Sequence, residues 1–135
     1  MNKRKIYNSH KLIYLCTRLE INDSIRQEIR ELLNSSIDWN EIIEISLHHH
    51  ILPFLYYNLN KLDFQDIIPQ DIFAAMQNYY YTNLHRNLVF AKEISLIMKL
   101  TNREGISIIP FKGFSLIQTL YHNPALRIMV DIDIL

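Results

Sequence analysis

The spacing of apolar residues predicts that most of this chain is helical. From the N-terminal region to about Arg103, apolar side chains recur at three- and four-residue intervals, as they do in helices that bury one face. Asp23 or Ser24 is expected to cap the second helix and Asp38 the third, because short polar side chains accept hydrogen bonds from a first turn. The first three apolar stripes are Leu12, Ile13, Leu15, Cys16 and Leu19; Ile25, Ile29, Leu32 and Leu33; and Trp39, Ile42, Ile43 and Ile45.

Prolines and a glycine divide the rest of the helical region. Pro53 predicts a break before a short segment from Phe54 to Leu59. A long helix with a continuous apolar stripe is expected after Pro69. Gly105 is expected to end that helix.

The pattern changes in the last part of the chain. Ile106-Ser107-Ile108-Ile109-Pro110-Phe111 is rich in β-branched residues and predicts a short buried strand. Helical spacing returns from Phe114 to Tyr121, and residues 131–135 alternate as in a second strand. We therefore expect an α+β fold, in which a helical region (1–104) packs as one structural unit on a β-α-β unit (105–135).

A pair of carboxylates is placed on the second strand. Asp131 and Asp133 alternate with Ile132 and Ile134, so both carboxylates are expected to project from one face. They would repel each other unless a hard cation lies between them and a phosphate, and Mg²⁺ typically binds one or two carboxylates together with phosphate oxygens and water. The pair indicates a Mg²⁺ site for phosphoryl or nucleotidyl transfer, and the alternative is a solvated edge strand.

A glycine turn lies between the first strand and the following helix. The chain has only 2 glycines, Gly105 and Gly113, and both flank the predicted strand. Lys112-Gly113 is therefore expected at a strand-to-helix junction, where unpaired backbone N–H groups and the helix dipole favour an anion. Gly113 would also allow a phosphate to approach the backbone closely.

Several segments carry a resemblance to a known family. Residues 37–39 and 49–56 look like its N-terminal segments, so the likeness extends over nearly the whole chain. The more specific segments are Pro110-Phe111-Lys112-Gly113-Phe114-Ser115-Leu116, Leu120-Tyr121, Asn123-Pro124-Ala125-Leu126-Arg127 and Asp131-Ile132-Asp133-Ile134-Leu135. These segments resemble the uncharacterised-type bacterial nucleotidyltransferases of the DNA polymerase beta superfamily.

The resemblance implies an activity and a set of site residues. It implies a nucleotidyltransferase-like sheet and transfer of a nucleoside monophosphate from an NTP to a small-molecule or protein acceptor. Gly113 matches the glycine that contacts the triphosphate, and Asp131 and Asp133 match the catalytic carboxylates that bind Mg²⁺ or Mn²⁺. The implied nucleotide-binding residues are Lys112, Gly113, Phe114, Ser115 and Arg127.

The chain departs from the superfamily pattern at two points. The superfamily usually has Gly or Ser directly after the motif glycine, whereas this chain has Phe114 there and Ser115 one position later. The third carboxylate of the superfamily lies on a later strand, beyond Leu135. We therefore expect a truncated N-terminal portion with an incomplete site, weak divalent-ion binding and little turnover by residues 1–135 alone.

Two cationic residues lie close in sequence to the carboxylates and the glycine. Arg127 precedes Asp131 by four residues, so its guanidinium could reach metal-bound phosphates or hold Asp131 in place. Lys112 could neutralise a triphosphate, or it could pair with a nearby acid and cap its strand. The sequence leaves both alternatives open.

Composition restricts the partners. With 14 basic and 14 acidic residues, the chain has no overall field to hold a polyanion, which argues against general nucleic-acid binding. The start, Met1-Asn2-Lys3-Arg4-Lys5, is basic but no apolar signal core follows, and no membrane span is predicted. Cys16 is the only cysteine, so we expect a protein of the reducing cytoplasm.

Other conspicuous clusters have simpler interpretations. His48-His49-His50 suggests a metal site, but neighbours on a helix point about 100° apart, so a role at the helix end is favoured. Tyr79-Tyr80-Tyr81 could stack on a base, although packing is the more common role. His85 and Arg86 could line a nucleotide cleft or form surface ion pairs.

Two rival functions remain open at this stage. A catalytically inactive pseudoenzyme or interaction module would keep the Asp pair and associate through an exposed strand edge at Ile132, Ile134 and Leu135. A phosphotransferase or phosphohydrolase would use the same carboxylates. The product distinguishes these enzymes, because nucleotidyl transfer releases pyrophosphate whereas the rivals yield ADP or free phosphate.

Overall fold

A computed structural model describes residues 3–135 as a mainly helical α+β protein with one small sheet, which confirms the predicted fold class. Met1 and Asn2, the start of the basic segment, lie outside the described residues. The elements are α1 (Lys3–Cys16), α2 (Asp23–Leu33), α3 (Trp39–His48), α4 (Leu52–Lys61), α5 (Gln70–Arg103), β1 (Pro110–Phe111), α6 (Gly113–Leu116), a π-helical segment (Ile117–Tyr121) and β2 (Asp133–Ile134).

The chain divides into two compact units, Met1–Tyr80 and Tyr81–Leu135. The division falls within α5, whereas the predicted boundary between a helical region and a nucleotidyltransferase core was at 104/105. That boundary, and the packing of both parts as one structural unit, stay predictions. No helix of residues 3–135 has both the length and the apolar character that a membrane crossing requires.

The core of the first unit is made by the predicted apolar stripes. Leu12, Ile29, Ile42 and Leu55 come from four successive helices, and each is completely buried. Their removal from water supplies the main driving force for packing these helices together. Leu19 was wrongly included in the first stripe, because α1 ends at Cys16 and the Leu19 side chain is 52% exposed.

Helix caps follow the predicted chemistry with one shift in position. Asp38 caps α3 and accepts hydrogen bonds from the backbone N–H groups of Asn40 and Glu41, as predicted. The cap of α2 is Asn22, not Asp23 or Ser24, because the Asn22 side chain accepts from the Ile25 N–H group. Asn, Asp and Ser all cap helices well, so residue type does not distinguish Asn22 from its two neighbours.

The break near Pro53 lies earlier than predicted. α3 ends at His48, and His50 adopts a positive φ of 58° before α4 begins at Leu52. Pro53 therefore occupies the first turn of α4, where its missing N–H group removes no helical hydrogen bond.

The tyrosine cluster contributes to packing, as expected. Tyr79 and Tyr80 pack against the core of the first unit, and the Tyr80 ring lies 5.0 Å from that of Tyr56. Tyr81 is 53% exposed.

The predicted strand Ile106–Phe111 is largely wrong. Only Pro110 and Phe111 form β1, which pairs antiparallel with β2 so that Pro110 lies opposite Ile134 and Phe111 opposite Asp133. The main chains of Ile109 and Leu135 extend this pairing by two hydrogen bonds, and no longer partner strand is present within residues 3–135. The segment is not buried either, since Ile106 is 55% and Ile109 64% exposed.

Candidate functional site

The turn between β1 and α6 has an unusual backbone. Lys112 has φ 52° and ψ −115°, a conformation that L residues rarely adopt. Such a backbone costs about 1–3 kcal/mol and persists only where the surroundings impose it. The Lys112 carbonyl accepts a 2.9 Å hydrogen bond from the Leu116 N–H group, which fixes the start of α6. Strain of this kind is frequent at functional sites, so the turn is a candidate on structural grounds as well.

Gly113 is required by a close packing contact. A Cβ atom on this residue would lie 2.9 Å from Cγ and 3.0 Å from Sδ of Met129, closer than real side chains approach. Met129 is buried, and its side chain would have to shift to admit a Cβ atom at this position. The glycine therefore allows the turn to pack on the segment that leads to the carboxylates.

The helix after this turn differs from the regular helix that the sequence predicts. α6 has four residues, and the next five residues, Ile117–Tyr121, form a π-helical segment. It ends at His122, which has a left-handed φ of 52°. So short a helix has a weak dipole, and the expected help from it in binding an anion is correspondingly small.

A pocket of about 160 Å³ brings together most of the residues that the sequence singles out. Ile128, Met129 and Val130 complete its lining. The singled-out residues in its lining are Lys112, Gly113, Arg127, Asp131 and Asp133. Two cationic side chains and two carboxylates, which are up to 21 residues apart in the chain, therefore line one pocket of the second unit.

Phe114 and Ser115 do not line this pocket. Phe114 contributes to a neighbouring cavity, and the Ser115 carbonyl accepts a hydrogen bond from the Thr119 hydroxyl. His85 and Arg86 line neither of these two cavities. The roles assigned to Phe114 and Ser115 in nucleotide binding stay predictions.

The two carboxylates do not alternate along one strand as the sequence predicted. Asp133 lies in β2, whereas Asp131 lies in a bend before it. The strand is only two residues long because β1 offers no longer partner, so the strand face that both carboxylates were to share does not form. Both nevertheless line the same pocket.

Lys112 and Asp133 form an ion pair across the antiparallel strands. Lys112 Nζ lies 3.0 Å from Asp133 Oδ1, with side chains that are 58% and 27% exposed. The ammonium also lies 5.2 Å from the centre of the Phe111 ring. Pairing with a nearby acid, one of the two roles considered for Lys112, is therefore present in the structure.

Arg127 carries an unsatisfied donor. Its Nε is buried and has no hydrogen-bond partner within residues 3–135. A buried donor of a charged group is costly to leave unpaired, so this atom calls for an acceptor such as a phosphate oxygen. The Arg127 Nε also lies 3.7 Å from the position that a Cβ of Gly113 would occupy, which places the guanidinium beside the strained turn.

Two buried asparagines, which sequence reasoning missed, hold the loop that carries Arg127. Asn83 donates to the carbonyls of Ala125, at 2.8 Å, and Arg127, at 3.1 Å. Asn87 donates to the carbonyl of Pro124 and, at 2.6 Å, to that of Arg127. The sequence did contain a signal for them, because both lie in the apolar stripe of α5. Asn83 follows Met76 by seven residues, and Asn87 precedes Ile94 by seven. A polar side chain at such a buried position needs a hydrogen-bond partner.

The donor set fits Mg²⁺ only in part. No group of three His, Cys, Asp or Glu side chains in the described part of the chain is arranged to hold a metal ion. Mg²⁺ commonly uses one or two carboxylates and completes its shell with phosphate oxygens and water, so the Asp131 and Asp133 pair is adequate when a phosphate ligand shares the pocket.

Comparison with known proteins gives one match. A family model described as "Uncharacterised nucleotidyltransferase" matches residues 35–135, which is most of the chain and includes the pocket. No curated protein and no solved structure gives a significant match.

Proposed function

This chain belongs to the uncharacterised nucleotidyltransferase family, and we propose that it uses the pocket around Arg127 and Asp131 to bind an NTP and transfer its nucleoside monophosphate to an acceptor. The observation that carries the proposal is the meeting of two carboxylates and two cationic side chains in one pocket, with a buried Arg127 Nε left unpaired. The family implies nucleotidyl transfer, and the proposed acceptor is a small molecule or a protein group.

The cationic side of the pocket suits a triphosphate. The main chain of Arg127 is held through its carbonyl by Asn83 and Asn87, so the start of this side chain is fixed beside the pocket. Lys112 is more exposed and contacts Asp133 and the Phe111 ring. The arginine and the lysine can together neutralise the phosphates, because a guanidinium binds phosphate oxygens in a fixed direction and an ammonium acts as a point charge.

The acidic side of the pocket suits the metal that accompanies a nucleotide. Asp131 and Asp133 would hold Mg²⁺ or Mn²⁺, and the bound ion would neutralise the phosphates and polarise the phosphate that is attacked. The Lys112 ammonium balances the charge of Asp133 when no metal or phosphate is bound. Ligand binding would then exchange this ion pair for contacts to metal and phosphate.

Binding of an NTP is the direct test of this proposal. Isothermal titration of the wild-type chain with ATP, GTP, CTP and UTP in Mg²⁺ should show saturable binding of at least one of them. EDTA should weaken that binding, and so should Asp131→Asn or Asp133→Asn. Asp66→Asn, a change at an exposed carboxylate of the first unit, is the matched control and should bind like wild type. An NTP affinity that is changed neither by EDTA nor by the two pocket substitutions would refute the metal-dependent site.

Product analysis separates nucleotidyl transfer from its rivals. With α-labelled NTP, label transferred to an acceptor with release of pyrophosphate supports the proposal, whereas ADP or free phosphate supports a phosphotransferase or phosphohydrolase. We expect little turnover by residues 1–135 alone, because no third carboxylate joins the pair within the described residues. Robust transfer that is lost on Asp131→Ala would show that two carboxylates suffice.

An interaction role is the second candidate, and a specific surface favours it. Of the predicted edge, Ile134 is 44% and Leu135 73% exposed, whereas Ile132 is half-buried. The neighbouring Val130 is 74% exposed, so apolar side chains lie at both ends of the carboxylate segment. Association through this edge predicts that sedimentation shows a concentration-dependent mass and that Ile134→Lys reduces it. A monomer at all concentrations would argue against this role.

A further inference from the structure

A second cavity adjoins the carboxylate pocket, and Met129 lines both. The cavity has a volume of about 210 Å³ and is bordered by α5, α6 and the π-helical segment. Building on the proposed function, we propose that it receives the base of the bound nucleotide, a flat heteroaromatic ring that donates an N–H group to Asn87. The phosphates of the same nucleotide would lie in the carboxylate pocket.

An unpaired polar atom of Asn87 indicates that the cavity binds a ligand. Its side chain is only 2% exposed, and its amide nitrogen donates to the carbonyls of Pro124 and Arg127. These two acceptors fix the orientation of the amide, because the oxygen could not replace the nitrogen there. The Oδ1 atom is consequently buried without a partner, in a residue that lines the cavity. An N–H donor on a ligand would satisfy it, and the proposal requires the ligand to reach this atom from the cavity.

The other walls suit a ring more than a phosphate. Phe114 and Ile117 provide apolar and aromatic surface, while Gln118 and His122 provide polar groups. Among the described residues that line the cavity, none is Lys, Arg, Asp or Glu, so it lacks the carboxylates and the lysine and arginine side chains of the carboxylate pocket. Aromatic side chains stack readily on nucleobases, and amide groups hydrogen-bond to their edges.

The proposal places Phe114, one of the expected nucleotide-binding residues, beside the base and not beside the phosphates. The residue after the motif glycine was assigned to nucleotide binding, yet its side chain lines this cavity and not the carboxylate pocket. Phe114 and Gly113 are adjacent in the chain, so one turn can present the backbone to the phosphates and a ring to the base.

The test uses nucleosides, which lack phosphate, and tripolyphosphate, which lacks a base. Chemical-shift titration of the 135-residue protein with adenosine, guanosine, cytidine and uridine should identify at least one that binds at millimolar concentration. Ala91→Trp would fill the cavity from α5 and should weaken that binding about tenfold or more, which is about 1.4 kcal/mol. Leu96→Trp, on an exposed position of the same helix, is the matched control and should bind like wild type.

A second comparison addresses the hydrogen bond to Asn87. The nucleoside that binds is compared with an analogue in which the N–H donor of the base edge is removed, and the analogue should bind about tenfold more weakly, equivalent to about 1.4 kcal/mol. Equal binding of the two would overturn the assignment of Asn87 Oδ1 as the acceptor. Melting temperatures of both tryptophan variants confirm that they are folded.

The outcomes separate this inference from the proposed function. If tripolyphosphate binds but no nucleoside does, or if Ala91→Trp binds nucleoside like wild type, the base cavity is refuted and the phosphate pocket stands. In the opposite case, a nucleoside binds to the wild type and not to Ala91→Trp, while neither tripolyphosphate nor any NTP binds in the carboxylate pocket. That result would support the base cavity and refute nucleotidyl transfer in the carboxylate pocket.

Discussion

The Asn87 side chain and the Arg127 carbonyl are joined by a 2.6 Å hydrogen bond, and Asn83 donates to the same carbonyl. The Arg127 carbonyl therefore accepts hydrogen bonds from two side chains of α5, which join the loop that contains Arg127 to this helix. The main chain at Arg127 is thus held by two amides that do not themselves line the carboxylate pocket.

Removal of either amide should therefore affect both stability and ligand binding. Asn83→Ala removes the amide donor of the Ala125 carbonyl and Asn87→Ala that of the Pro124 carbonyl, while the Arg127 carbonyl keeps one of its two donors. Either loss should lower the free energy of unfolding by about 1–3 kcal/mol. Urea titration measures this loss, and tripolyphosphate binding to the folded variants should also weaken as Arg127 loses its support. Asn78→Ala, at an exposed position of the same helix, should change neither quantity. Wild-type phosphate affinity in both site variants would show that the clamp does not position Arg127.

Substitution of the motif glycine should be destabilising for a steric reason. In Gly113→Ala the new Cβ would lie 2.9 Å from Met129 Cγ, so the buried methionine or the turn must shift. Overpacking of this kind costs about 1–3 kcal/mol, and urea unfolding should show it. If the clash is the cause, Gly113→Ala should cost less in a Met129→Ala background than in the wild type. An equal cost in both backgrounds would locate the requirement for glycine elsewhere.

The strained backbone of Lys112 predicts opposite effects on stability and binding. Lys112→Gly relieves the strain of its φ of 52° and should leave the free energy of unfolding equal or about 1 kcal/mol higher, despite loss of the ion pair with Asp133. Affinity for NTP should nevertheless fall about tenfold or more, because a charge-assisted contact is worth about 1.5–3 kcal/mol. Asp63→Gly, at another position of positive φ, is the control that should alter stability without altering NTP affinity.

The sequence predicts those parts of the fold that depend on residues close together in the chain. Stripes of apolar residues are enough to place Leu12, Ile29 and Ile42 in helices with a common core, and an aspartate before Trp39 is enough to place a cap. The extent of a strand is different, because it depends on a partner that is distant in the chain. Residues 106–109 have strand-like composition but only a short partner in β2.

The site shows the same distinction. Asp131, Asp133 and Gly113 are identifiable because carboxylate and glycine patterns carry their own chemistry. Asn83 and Asn87 have no such pattern, and their roles depend on carbonyls about forty residues later in the chain. A polar residue within an apolar stripe indicates that a partner exists but does not identify it.

The cap of α3 predicts how the stability of the first unit changes with pH. Hydrogen bonding to the Lys5 ammonium, and then to the Glu41 N–H group, lowers the pKa of Asp38 below its usual value of 3.8. The unfolded chain therefore takes up this proton more readily than the folded one. The contribution of Asp38 should be complete above pH 3.8 and should disappear as the pH falls through the lower folded-state pKa.

Urea unfolding of the wild type and Asp38→Asn between neutral and strongly acidic pH measures this contribution. The variant should be less stable than the wild type at neutral pH, and the difference should shrink as Asp38 becomes protonated in acid. Asp66→Asn is the control, since Asp66 is exposed and caps no helix, and its stability should follow the wild type throughout. A gap between the wild type and Asp38→Asn that stays constant from neutral to strongly acidic pH would show that the cap acts through shape and not through charge.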